Sequence, residues 1–257
     1  MTKLRLITPI NSDPQLPLFV FLPGMDGTGE LLSTQVNDLA IFFDLRCLQI
    51  PAHDFSNWDI LCEQVITLIK TELSGKSQHS CYLAGESFGG CLAIKIAMHS
   101  SGLINRLVLV NPATCFNQQP LLSWGIPITS LIPDWLYQLS TLTLLQFLVA
   151  PGKVQPENRR ALLEAMRSVP HQNAAWRLSL LQEFKVSDEQ LSAIKNPILL
   201  IASEEDRLLP SVVEAERLVK VFPNVQKVAL PESGHACLLE TDIKLRKIMA
   251  VQNFLPE

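Results

Sequence analysis

The run CYLAGESFGGC at residues 81–91 decides how this chain folds. Cys81 to Ala84 is short and apolar, as a buried strand is, and Cys91 to Met98 continues like a helix. Between them Ser87 stands bracketed by Gly85 and Gly89. A G-x-S-x-G pentapeptide between strand and helix has the form of a nucleophile elbow. The elbow holds its central residue in a sparsely populated backbone conformation, so its neighbours must carry little side chain for strand and helix to pack. Glycine and serine are common enough that the pentapeptide alone is a weak signal, and its weight comes from its surroundings.

A serine hydroxyl is a poor nucleophile near neutral pH. It needs a base within hydrogen-bond reach and a third group to orient that base. NPILLIAS, residues 196–203, reads as a buried strand, and Glu204-Glu205-Asp206 follows its C-terminal end. Asp206 is the expected orienting group, with Glu204 and Glu205 as alternatives at the neighbouring positions. The next strand-like run, Val225 to Leu230, ends in PESGH, residues 231–235, which puts His235 on a loop at the same sheet edge as the expected general base. The competing readings are an inert turn serine and a structural histidine. His53 and His171 are read as ordinary loop or surface residues.

FLPGMDGTG, residues 21–29, is an apolar run turning into a glycine-rich loop. Developing oxyanions need preorganised N–H donors, supplied in elbow folds by the residue after the nucleophile and by the loop after an early strand. Those donors would be the backbone N–H groups of Phe88 and Met25. A phosphate-binding loop is the rival reading, but Gly24, Gly27 and Gly29 lack the dinucleotide spacing and no Gly-Lys-Ser/Thr follows.

The early loop FLPGMDGTG, the elbow GESFGGCLA, the NPATCF after the next strand, and the late EEDRLLPS and ESGH together resemble the α/β-hydrolase superfamily. Within it they are similar to the esterase and acyltransferase group of plant plastids and cyanobacteria that includes phytyl ester synthases. The order Ser87, Asp206, His235 is that of α/β-hydrolases. In that group the hydrolase-like part is usually followed by an acyltransferase-type domain, and the sequence reads as stopping at Glu257, after its last helix and without such a domain.

Strand-like runs at 3–8, 18–22, 44–50, 80–84, 104–110, 197–203 and 225–230 alternate with helix-like segments, which predicts a mainly parallel sheet covered by helices on both faces. Ser56 to Asp59 and Ser211 to Glu214 have capping-box form. The chain of 257 residues suits one α/β domain with an insertion: a core over 1–111 and 191–257, and a helical cap over 112–190. Its formal net charge of −4 carries no basic footprint for nucleic acid. The six cysteines lack C-x-x-C pairing and sit mostly in apolar runs, so free thiols in a reducing, cytoplasmic compartment are expected, with no metal site and no cofactor. The N-terminus lacks a stretch of secretory length.

Between Arg106 and Lys153 the only charged residue is Asp134, whereas Trp124, Ile126, Ile128, Trp135, Leu136 and Tyr137 crowd the middle. Pro127 and Pro133 interrupt any spanning helix there. Two readings stay open: a buried helix pair, and an apolar substrate channel or lid that touches a membrane surface. On the second, Trp135 and Leu136 contact substrate. Residues 157–184 read as two amphipathic helices that complete the cap. The expected chemistry is cleavage or transfer of the acyl group of a long-chain apolar ester or thioester through an acyl-Ser87 intermediate. The alternatives are an acyltransferase that esterifies a long-chain alcohol such as phytol or a diacylglycerol, a carbon–carbon bond enzyme, and a scaffold without catalysis.

Overall fold

The computed structural model describes residues 3–76, 79–119, 129 and 131–256. Every strand-like run becomes a strand: β1 (Arg5–Ile7), β2 (Leu18–Leu22), β3 (Asp44–Gln49), β4 (Cys81–Glu86), β5 (Arg106–Val110), β6 (Ile198–Ser203) and β7 (Val225–Leu230). They form one sheet in the order β1-β3-β2-β4-β5-β6-β7, parallel throughout except that β1 runs against β3. The fold is that of an α/β hydrolase. β2 is buried on both faces, as a parallel strand between helical layers must be. Leu18, Val20 and Leu22 face one apolar core, and Phe19 and Phe21 face the other.

The described helices are α1 (Ser33–Leu39), α2 (Trp58–Ser74), α3 (Phe88–His99), α4 (Asp134–Leu148), α5 (Pro156–Ser168), α6 (His171–Glu183), α7 (Asp188–Ser192), α8 (Ser211–Val221) and α9 (Leu245–Val251). α2 and α3 cover one face of the sheet, while α1 and α9 cover the other. α4 to α7 all lie in the insertion between β5 and β6. Among the described residues no helix is long and apolar enough to cross a membrane.

Both expected capping boxes are corrected. Asn57, not Ser56, caps α2 by accepting the Ile60 N–H at 2.9 Å, because the Ser56 hydroxyl is engaged by Asp54. At α8 no side chain caps the helix: Ser211 donates to Asp206, and Glu214 accepts from Thr114. A reciprocal box forms instead between Ser187 and Gln190 ahead of α7.

Trp124, Ile126, Pro127 and Ile128 lie outside the described residues. Helix α4 shows what the rest of that apolar block does. Tyr137, Thr141 and Leu145 point inward, whereas Trp135 is 65% exposed and Leu136 39% exposed, with Leu139, Leu142 and Phe147 also open to solvent. The C-terminal end of the helix is anchored: Ala236 N–H donates to the Leu148 carbonyl at 2.8 Å. Leu145, Val149 and Val154 join Leu162, Ala236 and Leu239 in a satellite core.

Candidate active site

Ser87 leaves β4 with φ 54° and ψ −115°, the strained conformation that the elbow requires. A Cβ on Gly85 would overlap the backbone of Gly89, and one on Gly89 would overlap the Leu22 carbonyl. Both glycines are therefore demanded by close backbone approach. Ser87 N–H donates to Val110 O at 3.0 Å, which ties the turn to the end of β5.

The ends of β4, β6 and β7 bring three of the expected residues together. His235 Nε2 lies 2.9 Å from Ser87 Oγ, and His235 Nδ1 lies 2.7 Å from Asp206 Oδ2. Glu204 and Glu205 are exposed and make no contact with the imidazole among the described residues. Asp206 is positioned by its own turn, Oδ1 accepting the N–H groups of Leu208 and Leu209 at 2.9 and 3.0 Å, and Oδ2 also accepting from Ser211. Burial alone would raise the Asp206 pKa, but the charge and hydrogen bond of His235, with Ser211 and Leu209, outweigh it and hold the carboxyl below its ordinary range. For His235 burial pulls the pKa down, yet Asp206, with a further contribution from Glu86, raises it above the usual imidazole value.

On the other side of the serine, the early loop closes against the elbow. A Cβ on Gly24 would lie 4.0 Å from Ser87 Cβ. Among the described residues no acceptor takes the Met25 N–H. Phe88 opens α3, where an N–H has no preceding turn to bond. Both expected donors are thus free. Trp135 and Leu136 are placed differently. They begin α4, and thirteen residues at about 1.5 Å rise put Trp135 about 20 Å along the axis from Leu148, where the helix touches the histidine loop. A cavity of about 830 Å³ opens beside the early loop, lined by Asp26, Thr28, Leu31, Ile50 and Ala165, and neither Trp135 nor Leu136 borders it.

Several residues shape the site through partners that no local signal announces. Asn111, at φ 42°, donates to Ser203 Oγ at 2.9 Å and to the His235 carbonyl at 2.7 Å, and accepts the Ser203 N–H at 2.8 Å, locking β5, β6 and the histidine loop together. NPATCF marks that position in the sequence, but its partners Ser203 and His235 lie far along the chain. Glu240 Oε1 accepts the Gly234 N–H at 2.7 Å and steadies the same loop. Glu86, beside Ser87, is buried with Oε1 unpartnered among the described residues, and burial pushes its pKa up to about 7. All six cysteines are buried and unpaired.

A family model described as serine aminopeptidase, S33, matches residues 51–242. Phytyl ester synthase 1, chloroplastic, of Arabidopsis thaliana is 31% identical, covering 91% of this chain and 36% of its own length. Phytyl ester synthase 2 of the same plant is 26% identical over 95% of this chain and 39% of its own. The chain thus spans under two fifths of the length of these two relatives. A pimeloyl-[acyl-carrier protein] methyl ester esterase of Nitrosomonas europaea is 26% identical, covering 79% of this chain and 82% of its own. The solved structure of MenH from S. aureus superposes over 99% of this chain and 98% of its own with a TM-score of 0.79 at 16% identity, a likeness of fold alone.

Proposed function

The chain belongs to the serine aminopeptidase S33 family of α/β-hydrolases, and from that premise we propose that it is a serine esterase or acyltransferase acting on a long-chain apolar carboxylic ester or thioester. The observation that carries this reading is the hydrogen-bonded sequence from Ser87 Oγ through His235 to Asp206, 2.9 and 2.7 Å, at the edge where the elbow presents its serine. In the proposed reaction Ser87 Oγ attacks the carbonyl carbon while His235 Nε2 takes its proton. Asp206 holds the imidazole tautomer and stabilises the imidazolium. The oxyanion accepts from the N–H groups of Phe88 and Met25. Collapse expels the alcohol or thiol, which leaves with the proton from His235, and the acyl group rests on Ser87. Water then completes hydrolysis, or an alcohol completes transfer, with His235 again relaying the proton.

The apolar part of the substrate is assigned to the helical insertion, acting as a cap, because its charge-poor stretch supplies more apolar surface than a short ester could use. A second reading, transfer to a long-chain alcohol such as phytol or to a diacylglycerol, draws support from the 31% identity to phytyl ester synthase 1. Labelling with an alkyl fluorophosphonate tests the serine: wild type should be labelled at Ser87 and Ser87→Ala should not. An unlabelled wild type would point to a scaffold. Mass spectrometry after incubation with mixed lipid extract, with and without added phytol, separates the two outcomes. Free fatty acid in both arms marks a hydrolase, and phytyl ester that appears only with phytol marks a transferase.

A further inference from the structure

Arg177, on α6 of the insertion, is one of the largest fully buried side chains in the protein, 2% exposed. Among the described residues it forms no ion pair, and its guanidinium binds backbone oxygens alone: Nη1 donates to Met25 O at 2.6 Å and Asp26 O at 3.1 Å, and Nη2 donates to Pro51 O at 3.0 Å. Burial disfavours the charge and the nearby carboxylates of Asp26 and Asp54 offset part of that cost, but a buried cation with no carboxylate in contact still calls for a reason. Docking the insertion is not a sufficient one. α6 is already held to the segment after β3 by three neutral donors, Asn173 Nδ2 to Asp54 O at 3.1 Å, Trp176 Nε1 to Ser56 O at 3.1 Å, and Trp58 Nε1 to Leu180 O at 2.8 Å. Arg177 alone among these reaches past that segment to the Met25-Asp26 turn.

We propose that Arg177 is a positioning residue which clamps the Met25-Asp26 turn, so that a helix of the insertion sets the aim of the oxyanion donor on the core. The inference rests on the reading of Ser87 as nucleophile and Met25 N–H as donor. An oxyanion donor must sit within about 2.7–3.1 Å of where charge develops. Each planar peptide leaves only two soft dihedrals per residue, so anchoring the Met25 carbonyl restrains the N–H on the other side of the same Cα. Lysine's three donors radiate from one compact ammonium, whereas arginine's rigid planar fork fixes the directions in which it holds carbonyls of two segments. Gly27 matches this role: at φ 69°, a Cβ there would come within 2.8 Å of Arg177 Nη1, so the glycine keeps the seat of the guanidinium open.

Steady-state kinetics on a p-nitrophenyl ester, with the Tm of each protein, test the proposal on wild type, Ser87→Ala, Arg177→Met, Arg177→Lys and Trp176→Phe. Arg177→Met should lower kcat about 10²-fold with KM within about threefold. Arg177→Lys should recover part of the loss. Trp176→Phe removes a neighbouring staple and should leave kcat within about threefold of wild type even where its Tm falls as far. Arg177→Met that keeps kcat within about threefold, or Trp176→Phe that loses kcat in step with it, would reduce Arg177 to structural support. If Arg177→Met does not fold, the decision passes to Arg177→Lys against Trp176→Phe at matched Tm, and equal kcat in the two overturns the clamp. Turnover equal in wild type and Ser87→Ala defeats the underlying reading and the inference with it, and is visible before any Arg177 variant is read.

Discussion

The loops at the C-terminal edge of the sheet and helix α4 meet at Leu148, yet they are built on opposite principles. In the edge loops polar groups are buried and joined: His235 to Asp206 and Ser87, Asp206 to Ser211, Asn111 to Ser203 and the His235 carbonyl. In α4 apolar side chains lie on both sides, with Tyr137, Thr141 and Leu145 buried while Trp135 and Leu136 face solvent. The difference teaches where specificity and rate should reside. A network of satisfied buried polar groups fixes one geometry, and losing a member leaves its partners unpaired. An outward apolar face imposes little geometry and offers area, so its contribution should scale with the length of what it touches.

The strongest way to break that contrast is at Ser87, the proposed nucleophile. Ser87→Ala should cost on the order of 10⁴ to 10⁶ in kcat while Tm stays near wild type, and a variant with more than about a tenth of wild-type activity would remove Ser87 from the edge mechanism. Next in size, Asp206→Asn should lower kcat/KM by about 10² or more, while Glu204→Gln and Glu205→Gln each stay within about tenfold. A reversed ranking would reassign the orienting group.

The same substitution has a pH signature. The base must be neutral to act, so kcat/KM should rise with pH through a His235 pKa that lies above the ordinary value of 6.5. Asp206→Asn removes the charge that raises it, and the rising limb should move to lower pH. The stability contributed by the His235-Asp206 pair has the opposite sign at this limb. Because the folded His235 pKa is raised, its contribution is present below pH 6.5 and is lost as pH rises through the folded value; because the folded Asp206 pKa is lowered, its contribution is present above pH 3.8 and is lost as pH falls through the folded value.

For α4 the comparison sharpens through chain length. A series of p-nitrophenyl esters from acetate to palmitate should show kcat/KM rising by up to roughly threefold per added carbon until the apolar surface is used up. Leu136→Asp should penalise the longest esters and spare the shortest, with little change in Tm, because the position is 39% exposed. A wild-type preference for acetate, or an equal loss across the series, would separate α4 from substrate.

The smallest effect is expected at Glu86. Its carboxyl has a pKa near 7 when folded against an ordinary 4.5. Between those values the unfolded chain is ionised and the folded protein is not, so stability falls as pH rises across that window. Glu86→Gln has no such ionisation, and its Tm should gain on wild type from about pH 4.5 to about pH 7, as thermal melts across that range would show. A constant difference would mean that Glu86 is solvated.

What the sequence by itself determined is whatever is written in neighbouring residues. The strands stand out because apolar runs such as Leu18 to Leu22 and Ile198 to Ser203 must be buried on both faces of a parallel sheet. Ser87, Asp206 and His235 stand out because each follows a strand that ends at the same edge, and Gly85 and Gly89 because the turn tolerates no side chain. Only the tertiary structure decided which distant groups satisfy the buried polar atoms. Ser211 reads as a helix cap, but Asp206 competes for its hydroxyl. Arg177 reads as one charge on an amphipathic helix, and its partners at Met25, Asp26 and Pro51 lie more than a hundred residues away. The apolar residues of α4 read either as a buried helix pair or as a substrate channel or lid. Periodicity reports which residues share a face of a helix; what lies opposite that face is set by how the chain returns to it.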